Sequence, residues 1–303
     1  MTGIVFNYAF AFGAMLLLGA LSGYVCERAG IVNIGIDGMM CFGAVFFAIF
    51  SSPKVIDVGS AGIVIALLLT MVCTTITGLM HGFATIKLKA NHVISGTAIA
   101  LIGAAFATFV NQPLGLSLYG TTKLQSGISD FLYLGDSIYG SAIILFAFAI
   151  VVAIAIFCVM NFTKIGLRYK AVGENPAAVD SLGINPIKYQ WIAVIFSSML
   201  AGLAGGIFLF NVKQFPGTCQ GYGYLALAIL IVGAWQVQWI GVASFIFALL
   251  TSLSMSSVLT NLGFPREVAL ALPYMVTVVV LLFFSKWVRA PEHDGIPYNK
   301  QAR

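Results

Sequence analysis

The chain has 303 residues, of which 15 are Lys or Arg and 10 are Asp or Glu, so that 8% are charged, against about 25% in an ordinary soluble domain. Apolar types make up 60% before the 32 glycines are added, more than a soluble fold of this size can hide behind a polar skin. A cytosolic enzyme, a disordered chain and a nucleic-acid binder are excluded, and the solvent for most of this protein is lipid.

A bilayer core of about 30 Å takes about 20 apolar residues as helix. The chain opens Met1-Thr2-Gly3-Ile4-Val5-Phe6, with neither a basic lead nor an A-x-A cleavage pattern, which predicts a retained membrane helix rather than a signal peptide. Apolar runs follow at roughly 4–23, 36–52, 59–83, 93–111, 138–161, 190–210, 222–236, 240–260 and 268–287. The second and seventh are short and Gly-rich, so either could be broken or re-entrant. The expected fold is an all-α polytopic membrane protein, a bundle of about nine helices (eight to ten), with residues 1–303 forming one domain. Small residues recur four apart at Gly19/Gly23, Gly96/Ala100/Ala104, Ala201/Gly205 and Gly202/Gly206. Such rows allow close backbone approach, within one bundle in preference to between subunits.

Lys and Arg set the orientation. With the loop 162–189 inside, the inner side holds Arg28, Lys87, Lys89, Lys164, Arg168, Lys170, Lys188, Lys286, Arg289, Lys300 and Arg303. The outer side holds only Lys54, Lys123, Lys213 and Arg266. The nine-helix topology then has its N-terminus outside and its C-terminus in the cytoplasm. A second long loop, 112–137, lies outside. Cys26, Cys41, Cys73, Cys158 and Cys219 form no CxxC pair, and neither a disulfide framework nor a zinc site is expected.

Ionisable residues inside membranes mark function, and here they are scarce. Asp37 is expected at the inner end of the second span, His81 near the end of the third and His92 at the start of the fourth. With none near the midplane, a proton-coupled carrier is disfavoured. No HExxH or paired intramembrane carboxylates suggest an enzyme. The stretch Asn33–Met40, with Gly35, Asp37 and Gly38 and flanked by Glu27, Arg28 and Gly30, predicts a close-packed elbow at the inner face. It is either architecture, with turn glycines and a local ion pair, or part of an inner gate.

The inner loop carries the most specific local signal. Asn175 suits an N-cap and Pro176 the first helical position. Gly183 suits a left-handed stop, and Pro186 forbids early resumption. A helix of about two turns, 176–182, is expected, and so short a helix must be held by packing.

The segment containing Gly173, Glu174, Asn175, Pro176, Ala177, Ala178, Asp180 and Gly183 resembles the coupling helix of ABC importer permeases. The stretch from Gly173 to Gly206 resembles the branched-chain amino acid, ribose and nucleoside permease family, in its nucleoside-type branch. Three further motifs agree: Glu27-Arg28-Ala29-Gly30-Ile31-Val32-Asn33-Ile34-Gly35-Ile36-Asp37-Gly38-Met39-Met40, Ala90-Asn91-His92-Val93-Ile94-Ser95-Gly96, and Pro273-Tyr274 with the tail Gly295-Ile296-Pro297-Tyr298. Asp37 stands where the family has Glu, His92 where it has Gln, and Gln236-Val237-Gln238 where Pro usually follows the Trp.

The resemblance implies a type II ABC importer-like permease in a cell membrane, not itself an enzyme, that forms the pathway for nucleosides. No GxxxxGK[ST] phosphate loop occurs, so this chain is expected to bind no cofactor; ATP and Mg belong on a cytosolic ABC ATPase that receives helix 176–182. Implied partners are a second, longer permease (a heterodimer, with a homodimer as the alternative), an extracellular substrate-binding protein or lipoprotein, and membrane lipid, with no nucleic acid. Candidate pathway residues are Asn91, His92, Ser95, Asn111, Ser197, Ser198 and Asn211. Import of ribose or another sugar, or an ATP-independent channel or facilitator, are the competing expectations.

Overall fold

The computed structural model describes residues 2–51, 61–114, 140–212, 216–261, 263–284 and 289–299. All regular structure among them is helical: α1 (Thr2–Glu27), α2 (Ile36–Phe50), α3 (Ala61–Gly82, continued by a π-turn Phe83–Lys87), α4 (His92–Leu114), α5 (Gly140–Phe162), α6 (Lys164–Glu174), α7 (Pro176–Ser181), α8 (Pro186–Val212), α9 (Tyr222–Val232), α10 (Val237–Met255), α11 (Ser257–Asn261) and α12 (Arg266–Phe284). Seven helices, α1, α3, α4, α5, α8, α10 and α12, are long and apolar enough to cross a membrane; α2 and α9 are apolar but shorter. Beyond Leu114 the loop expected to lie outside, with Gly115, Gly120, Gly127, Asp130 and Asp136, falls outside the described residues.

Two helices form the axis of the bundle. α1 packs against α5, α8, α9 and α10, and α8 against α1, α2 and α3. Their apolar spans are mostly buried, whereas those of α5 and α12 turn most of their side chains outward. A helix apolar on every side fits both places, because lipid tails are as apolar as Leu. Composition therefore could not separate axis from rim.

The small-residue rows all turn inward. Gly19 faces Ala226, Gly23 faces Leu230 and Ile36, Gly96 faces Gly35, and Gly206 faces Leu67 and Phe47. A Cβ at Gly202 would collide with Thr74, and one at Gly205 with the Met40 backbone. Close packing within one chain uses these faces completely.

One end of the bundle gathers the polar chain. The end of α1, the π-turn, α6, α7, the turn after α9 and the tail 289–299 are joined there by hydrogen bonds. The turn after α9 is tight, with Ala234 and Trp235 both at φ 51, and it ends α9 at Val232 rather than at the expected 236. The run 240–260 is likewise split, at Ser256, into α10 and α11.

Candidate functional site

The short helix forms as its sequence specifies. Asn175 Oδ1 accepts from Ala178 N at 3.0 Å, and Pro176 occupies the first turn. Gly183, at φ 77, closes the far end, its N–H donating to the Asp180 carbonyl. Pro176 and Val179 are buried against α6 and α8, while Ala177, Ala178, Ser181 and Leu182 are exposed. The helix therefore presents a low, nearly uncharged ridge to the solvent. Beneath it α6 is pinned by Tyr169, whose buried hydroxyl donates to the Val25 carbonyl; burial pushes that phenol well above its ordinary pKa.

Beside this helix, the first half of the elbow is built from side chains distant in sequence. The buried Glu27 carboxylate accepts from the Trp235 indole N–H at 2.7 Å. Arg28 donates from Nε and Nη2 to the Trp235 carbonyl, at 3.2 and 2.7 Å, and reaches Glu174 at 3.7 Å. Gly30, at φ 85, carries the chain round, and no Cβ is tolerated well there in a left-handed conformation.

Across both elements runs the tail 289–299. His293 N donates to the Gly173 carbonyl (3.0 Å), Gly295 N to the Gly30 carbonyl (3.2 Å) and Glu292 N to Glu174 Oε2 (3.3 Å). The Tyr298 hydroxyl donates to Asp180 (3.1 Å) and Lys89 Nζ to Asn299 (2.6 Å). Asp294 lies close enough to Glu27 for their charges to interact, and its Oδ1 is buried with no hydrogen-bond partner among the described residues. Burial lifts the Asp294 carboxyl to about 7, against a smaller opposing effect of the Gly295 N–H. Burial also lowers His293.

The second half of the elbow is not at the end that carries α6, α7 and the tail. Asn33 makes a buried turn, its Oδ1 accepting from Gly35 N and its Nδ2 donating to Ser197 Oγ. From there α2 begins inside the bundle. A Cβ on Gly38 would collide with the Ile99 carbonyl, and Gly103 packs on Gly38 in return. Ile99 to Gly103 lie seven to eleven residues into α4, roughly 10–16 Å from its inner end at 1.5 Å per residue. Asp37 accepts from Gly223 N at 2.9 Å, in the first turn of α9, and Gly223 lies ten residues, roughly 15 Å, above Gly233 at the inner end. Asp37 thus sits roughly 15 Å from the end of the bundle that carries α6, α7 and the tail, rather than at that end, where it was expected. Residues 28–35 climb into the bundle before α2 starts, which apolar length alone cannot reveal.

The pathway candidates are dispersed. Asn91 caps α4, accepting from Val93 N and Ile94 N. Ser95 meets His81 Nδ1 at 2.9 Å; His81 Nε2 faces the Val32 carbonyl and must donate to it, so in the neutral ring Nδ1 accepts from Ser95. Ser197 is fully buried with Ser22 and Asn33. Ser198 bonds the Ile195 carbonyl, and Asn211 the Ala11 carbonyl. His92, at the start of α4, is buried, its Nδ1 unpaired among the described residues. Asn111 lies in the last turns of α4, and its side chain is outside the described residues. No local signal singled out Asp294 or Tyr224, and Trp235 and Tyr274 entered only through the family motifs. The short Gly-rich seventh run was the usable clue to Tyr224.

The model of the branched-chain amino acid transport system permease component matches residues 5–281. The chain is 38% identical to the MG121 homolog of Mycoplasma pneumoniae, over 95% of this chain and 94% of that one. It is 31% identical to a guanosine ABC transporter permease of Bacillus subtilis, NupQ, covering 99% and 98% of the two chains. To a nucleoside ABC transporter permease of Lactococcus lactis, NupC, it is 31% identical, covering 94% and 93%. Its fold is similar to that of an inward-facing ABC transporter structure, with a TM-score of 0.53 at 15% identity over 93% of this chain and 85% of that one.

Proposed function

The chain belongs to the family of branched-chain amino acid transport permease components, and on that premise we propose that it is the membrane-spanning subunit of an ATP-driven importer of nucleosides. Nearly end-to-end similarity to the guanosine and nucleoside permeases carries this reading. The whole bundle is shared with them, rather than one motif. Nucleosides are preferred over ribose because both of these relatives are named for nucleosides.

In this reading α7 is the docking element for a cytosolic ATPase, which holds ATP and Mg. Support comes from its defined ends, its solvent-facing ridge and its firm attachment below. A helix this short transmits force only if it is anchored. The Arg28–Glu174 pair, the hydrogen bonds of the tail and Tyr169 tie it to α1. Closure of the ATPases would then move α7, the tail and the end of α1 as one block. The permease is of the type II importer kind, with α2 and α9 counted as short membrane helices beside the seven long ones. Its N-terminus lies outside and its tail in the cytoplasm, and it pairs with a second permease, preferably a longer relative. An external binding protein or lipoprotein delivers the substrate. The chain is one domain and carries no catalytic residue, ATP hydrolysis falling to the partner.

The test is uptake of labelled guanosine by vesicles carrying both permeases, the ATPase and the binding protein. Uptake that requires ATP and the ATPase supports the proposal; uptake unchanged without either overturns it.

A further inference from the structure

The polar groups at the inner end are mostly satisfied by one another. The junction of α2 and α9 is different. Here two short helices start near mid-depth, and the chain leading into α9 is not helical: Gln220 is at φ 54 and Gly221 at φ 80. Irregular backbone at membrane depth is tolerated only inside protein or along a water-filled cavity. Yet the Gln220 side chain is exposed at the surface of this chain, and lipid offers its amide no hydrogen-bond partner. This surface therefore suits water or a polar partner surface better than lipid.

Side chains converge on the same spot. A Cβ at Gly221 would stand 3.7 Å from the Tyr274 hydroxyl and 3.8 Å from Tyr224 Cδ2. The Tyr274 hydroxyl donates to the Gln220 carbonyl at 3.3 Å. Tyr224 and Tyr274 are 45% and 39% exposed although both lie on apolar helices. Behind them Asp37 is 8% exposed, with one oxygen on Gly223 N. A carboxylate has capacity for further hydrogen bonds through its second oxygen. A buried carboxylate, two open phenol rings and an exposed amide thus meet within one turn of the α9 N-terminus.

We propose that Asp37, Gln220, Tyr224 and Tyr274 form the substrate subsite of the pathway, taking a neutral solute that joins an aromatic ring to a hydroxyl-rich sugar. The tyrosine rings supply the stacking surface for the base. Asp37 accepts from sugar hydroxyls, and Gln220 offers both donor and acceptor to the base edge. Free pentose lacks the stacking partner. Discontinuous helices whose ends meet at the midplane serve the same purpose in other transporters. This assignment rests on the nucleoside reading above and adds the residues that select the solute.

The experiment uses the complete transporter in proteoliposomes, with guanosine, 2′-deoxyguanosine and ribose as probes. Tyr224→Ala and Tyr274→Ala are each expected to raise KM for guanosine by about tenfold with little change in kcat. Tyr→Phe at either position should restore most of the affinity. Asp37→Asn should reduce the preference for guanosine over the deoxynucleoside. Tyr224 and Tyr274 are exposed, so their variants should fold even if Asp37→Asn does not, and ATP hydrolysis by each assembled complex checks this. Variants that assemble, hydrolyse ATP and keep the wild-type KM and selectivity overturn the subsite. A wild-type complex that moves no nucleoside overturns the functional reading instead, and is recognised before any variant is made.

Discussion

The inner end and the midplane junction are the two polar regions of a chain that is otherwise lipid-like, and they are completed in opposite ways. At the inner end the main groups find partners within the chain. Glu27 meets Trp235, Arg28 meets Glu174, and the tail bonds Gly30, Gly173 and Asp180. At the midplane Asp37 is half-paired and two phenol rings stand open. The first arrangement is that of a joint, where most groups hold a neighbour, Asp294 Oδ1, His293 Nε2 and His92 Nδ1 being exceptions among the described residues. The second is that of the proposed subsite, where one Asp37 oxygen and two tyrosine rings are left for a guest.

The largest effect that would sharpen this contrast is mechanical. Replacing Asn175 to Gly183 with a flexible linker should abolish ATP-driven uptake while leaving the bundle folded, measured by transport alongside monodispersity in detergent. A linker variant that still transports would show that the inner end is not the joint. Next comes Trp235→Phe. It strands the buried Glu27 carboxylate and should cost about 2 kcal/mol, read as a lowered unfolding midpoint. Tyr224→Phe is the matched control at the midplane. Its ring is exposed, so stability should move by less than about 0.5 kcal/mol. Equal losses at both positions would break the distinction between joint and site.

Smaller still is the response to pH. Asp294 is held at about 7 by burial, above its ordinary value of 3.8. The docked tail therefore binds the proton more tightly than the free tail does. Docking should be firmest near pH 4 and should weaken as pH rises to about 7, with Glu27 the carboxylate it then opposes. Hydrogen exchange over residues 289–299 measures this, and Asp294→Asn should flatten the dependence. Asn175→Ala removes a cap and should cost about 1 kcal/mol, seen as faster exchange at Ala178. Least of all, Glu174→Gln should change stability by under about 1 kcal/mol, because the ion pair with Arg28 is partly exposed.

The outcome for particular elements shows what kind of information a sequence holds. The short helix was legible almost to the residue, because Asn175, Pro176 and Gly183 act on backbone groups no more than four positions away. The positions of Ser197 and Asn211 were not legible. Both look like pathway groups in an apolar run, yet each spends its side chain inside the bundle, Ser197 on Ser22 and Asn33 and Asn211 on the carbonyl of Ala11. Asp37 was misplaced by roughly 15 Å along the bundle for a related reason. Ile36–Phe50 has the same composition whether it starts at the face or halfway through the core.

By itself the sequence determined that lipid is the solvent, that the described chain is helical, which small residues let helices touch and where the inner-loop helix begins and ends. These follow from composition, 3.6-residue periodicity and capping, all of them local. Only the tertiary structure decided which helices form the axis, that the tail laces the elbow to α7, and that α2 and α9 start together at mid-depth. Those facts depend on pairs such as Asp37 with Gly223 and Glu27 with Trp235, about two hundred positions apart. No local preference specifies such a pair, because either partner alone is simply a polar residue looking for a hydrogen bond.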